Sequence, residues 1–269
     1  MANLVAAGSI MVALQLPLHD IGTRLLFGFL LNLLVYLNND FCDVDQDITS
    51  AKKGIERALY LKQHIKAAVG AQISILVVLT GLGVFYSYGL LIALVAGGGI
   101  CWLYSRKLKR MPYLDVAAMI LAGGLVPIVA FPLDSVLGWA LVLALAIFSG
   151  CFESIQVMRD HDEDLASKVR TTAVRLGIPA TMWMLRFFVI IAATYCTAVL
   201  NRYAGPVILL ALFIPLDRTA VEQYWNRIRM ITGVAWLGIL VWIFLYGMSD
   251  GLLVSIDTST VFDALTPVR

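Results

Sequence analysis

Residues Leu25–Asp47 read LLFGFLLNLLVYLNNDFCDVDQD. An almost unbroken apolar run leads directly into four aspartates, Asp40, Asp43, Asp45 and Asp47. The apolar part asks for a hydrocarbon environment. The carboxylates ask for water or for a cation, because an unpaired charge is costly to bury.

The rest of the chain resembles the apolar half of that stretch. Of its 269 residues, 60% are hydrophobic and 14% are charged, and the mean hydropathy is +0.86. Soluble domains carry about 25% charged residues. The composition therefore predicts an all-α, polytopic membrane protein, with residues 1–269 forming one helical domain. A net charge of +2, without a basic run interleaved with aromatics, points to no nucleic-acid partner. Cys42, Cys101, Cys151 and Cys196 show no CxxC spacing, which argues against zinc and against a disulfide framework; they read as buried small hydrophobes. The opening MANLVAAGSIMVALQL has no basic segment ahead of its apolar run, so a first membrane helix is expected there rather than a cleaved signal.

A span needs roughly 17–25 mostly apolar residues. Nine such helices are predicted, at about 3–17, 22–39, 65–84, 88–104, 113–132, 136–157, 178–200, 204–217 and 229–248, of which the first and eighth are short. LPLHD, FPLDS and NRYAGP read as tight connections. The tail after Gly247 has a weak pattern and is expected to be a short interfacial helix or a loose end.

Basic residues fix the expected orientation. Sixteen of the 20 Lys and Arg fall in the connections that follow the even-numbered helices, while the opposite connections hold little beyond Arg24 and Arg202. Positive charge marks the cytoplasmic side, so the N-terminus and both acidic stretches are expected inside and the C-terminus outside.

Nine of the 18 acidic residues lie in two short stretches on that same side: Asp40, Asp43, Asp45, Asp47 and Glu56, then Asp160, Asp162, Glu163 and Asp164. Asn39, Asp43 and Asp47 are four apart and share one helix face, with Asp40 at its edge. Asp160 and Asp164 repeat the spacing, and Glu153 and Gln156 continue the stripe upstream. Like charges so placed repel, and a hard cation such as Mg²⁺ relieves them. Two such clusters facing each other across a bundle suit two Mg²⁺ ions on a diphosphate. The glycine and terminal Glu of an EF-hand loop are not in register. A transporter would place its acids along a pore near the bilayer midplane; here they gather at one face. Lys53 and Arg57, the run YSRKLKRMP from Tyr104 to Pro112, and Arg170 and Arg175 lie on the same side, where cations can neutralise departing phosphate charge.

These residues resemble the UbiA superfamily of intramembrane prenyltransferases. Asn39-Asp40-Phe41-Cys42-Asp43-Val44-Asp45-Gln46-Asp47 matches that family's NDxxDxxxD signature, and Asp160-HDE-Asp164, followed by TTAVRLG, matches its DxxxD signature 113 residues later. The chain departs from the family where an Arg-Pro pair often follows the first signature, having Arg57-Ala58, and where a lysine stands four after the tyrosine, having Leu108 between Lys107 and Lys109. The resemblance implies a nine-helix bundle around a central cavity that opens laterally to lipid. It further implies Mg²⁺, in two ions, held by Asn39, Asp40, Asp43, Asp47, Asp160 and Asp164, with Asp45, Asp162 and Glu163 farther out. A prenyl diphosphate would lie head-first on them, contacted by Lys53, Arg57, Tyr104, Lys107, Lys109 and Arg110. Asp40, Asp43 and Asp160 are the expected catalytic residues. The implied reaction ionises the diphosphate and passes the prenyl group to a lipophilic, usually aromatic, acceptor in the bilayer. The alternative is a UbiA-type terpene cyclase, which quenches the same cation internally and takes no acceptor.

Overall fold

Inside a bilayer the backbone finds no water to bond to, so an apolar chain satisfies its own N–H and C=O groups by forming helices. The computed structural model describes residues 2–49, 55–216 and 220–258, and among them it has no strand beyond isolated bridges. The helices are α1 (Ala2–Ala13), α2 (Leu18–Thr49), α3 (Ile55–Gln63), α4 (Ile65–Phe85), α5 (Tyr88–Arg106), α6 (Leu114–Ala130), α7 (Val136–Arg159), α8 (His161–Ala166), α9 (Thr172–Leu176), α10 (Ile178–Leu200), α11 (Ala204–Phe213) and α12 (Val221–Tyr246). Six of them, α2, α4, α5, α7, α10 and α12, are long and apolar enough to cross a membrane, whereas α1, α6 and α11 are shorter apolar helices. Each of the nine predicted segments falls on one of these helices, and six of the nine have the length of a crossing.

α7 is the central post, 61% buried over its best apolar window, while α4 is only 11% buried and lies at the periphery. Small residues let α6 approach α7 closely: a Cβ on Gly123 would collide with the Ser149 side chain. Ser135 caps α7 by accepting a hydrogen bond from the Gly138 N–H at 3.0 Å. Gly177, at φ +77, makes the turn into α10 in a region that L side chains avoid.

The end of the bundle remote from the acidic stretches is tied by a polar knot. Arg24 pairs with Asp20 at 2.7 Å, and its Nη1 donates to the carbonyls of Val129 and Phe131 at 3.1 Å each. Those carbonyls sit where α6 tightens into a 3-10 turn and breaks off, which leaves them without helical partners. Tyr86 donates its hydroxyl to Asp20 at 2.6 Å. Arg24 is therefore an interior residue, 4% exposed, and not the loop cation its place in the charge pattern suggests.

The tail is neither a helix nor a loose end as far as Thr258. It folds back along the end of α10: Asp250 N–H donates to Leu200 O at 2.9 Å, and Leu252 and Leu253 donate to Thr197 and Ala198 at 3.0 Å. α10 finishes in a π turn, Cys196–Leu200, so these carbonyls need outside donors, and the tail supplies them. Residues 259–269 lie outside the described part.

Candidate active site

α2 runs well past its apolar span and carries the first acidic stretch as continued helix to Thr49. The predicted face therefore exists. Asn39 Oδ1 accepts a hydrogen bond from Ser105 Oγ of α5 at 3.1 Å. Asp43 is 6% exposed, and its Oδ2 lies 2.7 Å from Lys109 Nζ. Its other oxygen, Oδ1, is buried without a hydrogen-bond partner. Asp40, at the edge, meets Arg57 at 3.3 Å, and that pair is open to solvent. Asp45 points away from this face and takes Lys62 at 2.8 Å.

Lys109 reaches Asp43 because α5 stops abruptly. At Lys107 the backbone leaves helical geometry (φ −141), and a single 3-10 turn, Leu108–Arg110, follows. Lys107 is left exposed, while Lys109 and Arg110 border the pocket described below.

The second stretch sits at a similar break. α7 ends at Arg159, Asp160 adopts φ −88 and ψ −1, and α8 begins at His161. The Asp164 N–H still donates to Asp160 O at 2.9 Å, so the four-residue spacing stays helical. Asp160 and Asp164 line a small pocket of about 60 Å³ together with Tyr104, Lys109, Arg110, Glu153 and Gln156. Lys109 thus belongs to both stretches, paired with Asp43 on one side and facing Asp160 and Asp164 on the other.

Spacing places Glu153 on the stripe above Asp160, but three contacts of this pocket do not follow from it. Glu153, 3% exposed, accepts the Tyr104 hydroxyl at 3.1 Å. Arg159 grips both oxygens of Asp160, at 2.9 and 3.2 Å, while its guanidinium stacks 5.2 Å from the Trp225 ring centroid and lies 3.9 Å from Glu222. The start of α12 therefore borders the site. Asp115, 1% exposed at the beginning of α6, accepts the Thr172 N–H at 2.7 Å and its own helix's Val116 N–H at 2.8 Å, and also bonds the Thr172 hydroxyl. This clamp fixes the chain that follows Asp164 against α6. The only sequence signal for it is a lone carboxylate, in MPYLDV, opening an apolar helix.

Of the predicted residues, Asp43, Asp160, Asp164, Tyr104, Lys109 and Arg110 come together around Lys109, and Asn39 and Asp40 lie on the adjoining turns of α2. Lys107 does not line the pocket. Asp162 and Glu163 are exposed, and Asp162 bonds His161 at 2.7 Å. The side chain of Asp47 and the whole of Lys53 lie outside the described residues.

No group of three or more His, Cys, Asp or Glu among the described residues is gathered to hold a metal by itself. Mg²⁺ is commonly bound by one or two carboxylates plus substrate phosphate oxygens. Asp43, with one buried oxygen still unpaired and only oxygen donors on its face, fits an ion that arrives with a phosphate.

The sequence matches the UbiA prenyltransferase family model over residues 3–229. The chain belongs to the UbiA prenyltransferase family. Among solved structures it resembles a digeranylgeranylglyceryl phosphate synthase, with 14% identity, TM-score 0.67, and 91% of this chain and 92% of that chain covered. It also resembles a UbiA homologue from Archaeoglobus fulgidus bound to DMAPP and Mg²⁺, with 14% identity, TM-score 0.64, and 91% and 96% covered. At such identity these likenesses speak for the fold. No curated relative matches the chain in sequence. As a UbiA-family member with six membrane-length helices, the protein is a multi-pass integral membrane protein, and its general chemistry is intramembrane prenyl transfer.

Proposed function

We propose that this protein transfers a prenyl group from a prenyl diphosphate to a lipophilic, electron-rich acceptor within the bilayer, using Mg²⁺. The observation that carries the reading is the place of Lys109, which pairs with Asp43 and also lines the pocket of Asp160 and Asp164. A cation shared by two acidic stretches stands where a diphosphate bridging them would lie.

Asn39, Asp40, Asp43 and Asp47 on α2, with Asp160 and Asp164 at the α7–α8 break, are the residues that would hold Mg²⁺, in two ions. When bound, Mg²⁺ stabilises the negative charge that develops on the leaving diphosphate. Lys109 and Arg110 bind the diphosphate from the α5 side, with Arg57 and Lys53 beside the first stretch. Tyr104, held by Glu153, packs against the reacting end of the substrate. The C1–O bond of the prenyl diphosphate breaks, and diphosphate leaves with the electron pair. The acceptor then bonds to C1 and gives up its proton to solvent or to a solvent-accessible carboxylate such as Asp40. The DMAPP and Mg²⁺ of the Archaeoglobus fulgidus homologue support this ligand set, and the acidic stretches and N-terminus are assigned to the cytoplasmic side on their basic loops.

The purified protein in nanodiscs, given farnesyl or geranylgeranyl diphosphate, a panel of lipophilic phenols and Mg²⁺, should release diphosphate and form a prenylated phenol. Undiminished turnover in EDTA would overturn the metal-dependent reading. A cyclic hydrocarbon or alcohol formed without acceptor would replace the transferase with the cyclase.

A further inference from the structure

A second cavity lies away from this site. It is a cleft of about 630 Å³ between α2, α4 and α5, within the ~300–1,000 Å³ typical of small-molecule sites. α4, which forms its outer wall, is the least buried of the membrane-length helices, so the cleft opens towards lipid. Successive residues on a helix turn by about 100°. On α2 the lining residues Leu34, Asn38 and Phe41 therefore point about 140–180° away from Asp43. The cleft is not the reaction chamber.

Its chemistry is graded along its length. The end remote from the acidic stretches is apolar, with Leu91 and Leu94 on its floor and Leu76 and Val95 at its mouth, and the end nearer the acidic stretches carries Asn38, Gln72 and Trp102. Asn38 is 9% exposed, and its Nδ2 is buried with no hydrogen-bond partner. A buried donor left unpaired costs about 1–3 kcal/mol, so an occupant that brings an acceptor oxygen there is favoured. Cations stand at the same end. Arg106 stacks 5.3 Å from the centroid of the lining Trp102. Lys66 extends the lining stripe of α4 one turn past Val69. Neither makes a salt bridge among the described residues.

We infer that this cleft binds one anionic membrane phospholipid. An acyl chain fills the apolar end, a glycerol-ester oxygen accepts from Asn38, and the phosphate lies between Arg106 and Lys66. The charge is complementary, and it lies on the face where basic residues gather and where a cytoplasmic leaflet would be anionic. Occupancy holds the last apolar turn of α2, and Asn38 is the residue next to Asn39. The inference is independent of the reaction and is tested without substrate.

Gly99 supplies a clean block. It is helical, with φ −62, and a Cβ there meets nothing within 4 Å, so Gly99→Phe fills the cleft without disturbing backbone. In detergent, phosphatidylglycerol should raise the apparent Tm of the wild-type protein about 4 °C more than phosphatidylcholine does. Native mass spectrometry should then show one phosphatidylglycerol that survives activation. Gly99→Phe and Asn38→Leu should each lose that retained lipid, and the Arg106→Gln, Lys66→Gln double variant should lose the preference for phosphatidylglycerol. Equal effects of the two lipids on the wild type, or an undiminished phosphatidylglycerol shift in Gly99→Phe, would overturn the proposal.

Discussion

Lys109 Nζ lies 2.7 Å from Asp43 Oδ2, and the same lysine lines the pocket that holds Asp160 and Asp164. Two acidic stretches 113 residues apart in sequence are thereby joined through one cation. In the proposed reaction Lys109 turns to the diphosphate, a charge-assisted contact that strengthens as negative charge collects on the leaving group. Lys109→Met should lower kcat/KM for the prenyl diphosphate about 100-fold or more, by analogy with the loss of one charge-stabilising donor. Lys109→Arg should recover part of that loss. Initial rates of diphosphate release give both numbers, and a fully active Lys109→Met would remove this lysine from the mechanism.

Asp43 and Asp160 should behave alike although they sit on different helices. Asp43→Ala and Asp160→Ala are each expected to abolish turnover while the protein still elutes as a folded species in detergent. The milder Asp43→Asn keeps the shape but removes the charge that a hard cation needs. It should raise the Mg²⁺ concentration giving half-maximal rate, read from rate against free Mg²⁺. Asp45→Asn should leave that titration unchanged, because Asp45 points to solvent and is occupied by Lys62.

The sequence makes the metal face more legible than its surroundings, for a physical reason. Asn39, Asp40 and Asp43 lie within two turns of one helix, where a period of 3.6 residues determines which side chains share a face. Asp160 and Asp164 likewise need only local helix. Lys109 was one of several cations in a basic run. Choosing it over Lys107 depends on the break at φ −141, which spacing does not reveal. The Asp115–Thr172 clamp and the Asp20–Arg24 knot join segments distant in sequence or hide charge inside an apolar helix. The positive-inside pattern assigned Arg24 to a loop because charge counting takes no account of a partner four residues away. The order and rough placement of the helices follow from hydropathy, whereas the non-helical return of residues 249–258 depends on carbonyls freed by the π turn of α10.

Asp115 is a positioning residue, and its loss should be structural first. It accepts two backbone N–H groups and bonds a hydroxyl in a site that is 1% exposed to solvent. Asp115→Ala leaves these donors buried and unpaired, at a cost of about 3–5 kcal/mol by comparison with broken buried charge networks. Thr172→Val removes only the hydroxyl, which also accepts the Tyr113 N–H at 2.6 Å, and should cost about 1–3 kcal/mol. Apparent melting in detergent should rank wild type above Thr172→Val and Thr172→Val above Asp115→Ala. Because the clamp fixes the chain after Asp164, Thr172→Val should also weaken the Mg²⁺ dependence of the rate more than it lowers the rate at saturating Mg²⁺. A variant that lost stability with an unchanged Mg²⁺ titration would confine the clamp to folding.

Tyr104 and Glu153 form the last coupled pair of the site, 3.1 Å apart between α5 and α7. Glu153 is 3% exposed, so removing Tyr104's hydroxyl takes a donor from a buried carboxyl, and removing Glu153 takes the acceptor from the phenol. Tyr104→Phe should destabilise by about 1–3 kcal/mol, the cost of one buried group left unsatisfied. Glu153→Gln should be milder, because an amide still accepts from the phenol. If the two act as one unit, the double variant Tyr104→Phe, Glu153→Leu should be less damaging than the sum of its single changes, with a coupling of about 0.5–3 kcal/mol in a double-mutant cycle. Adding Tyr104→Ala separates packing from chemistry. Should Tyr104 press on the reacting end of the prenyl chain, Tyr104→Phe keeps the ring and holds kcat within a few-fold of wild type, whereas Tyr104→Ala loses it. Equal kinetics for Tyr104→Phe and Tyr104→Ala would place the ring outside the reaction and leave the pair as a strut between α5 and α7.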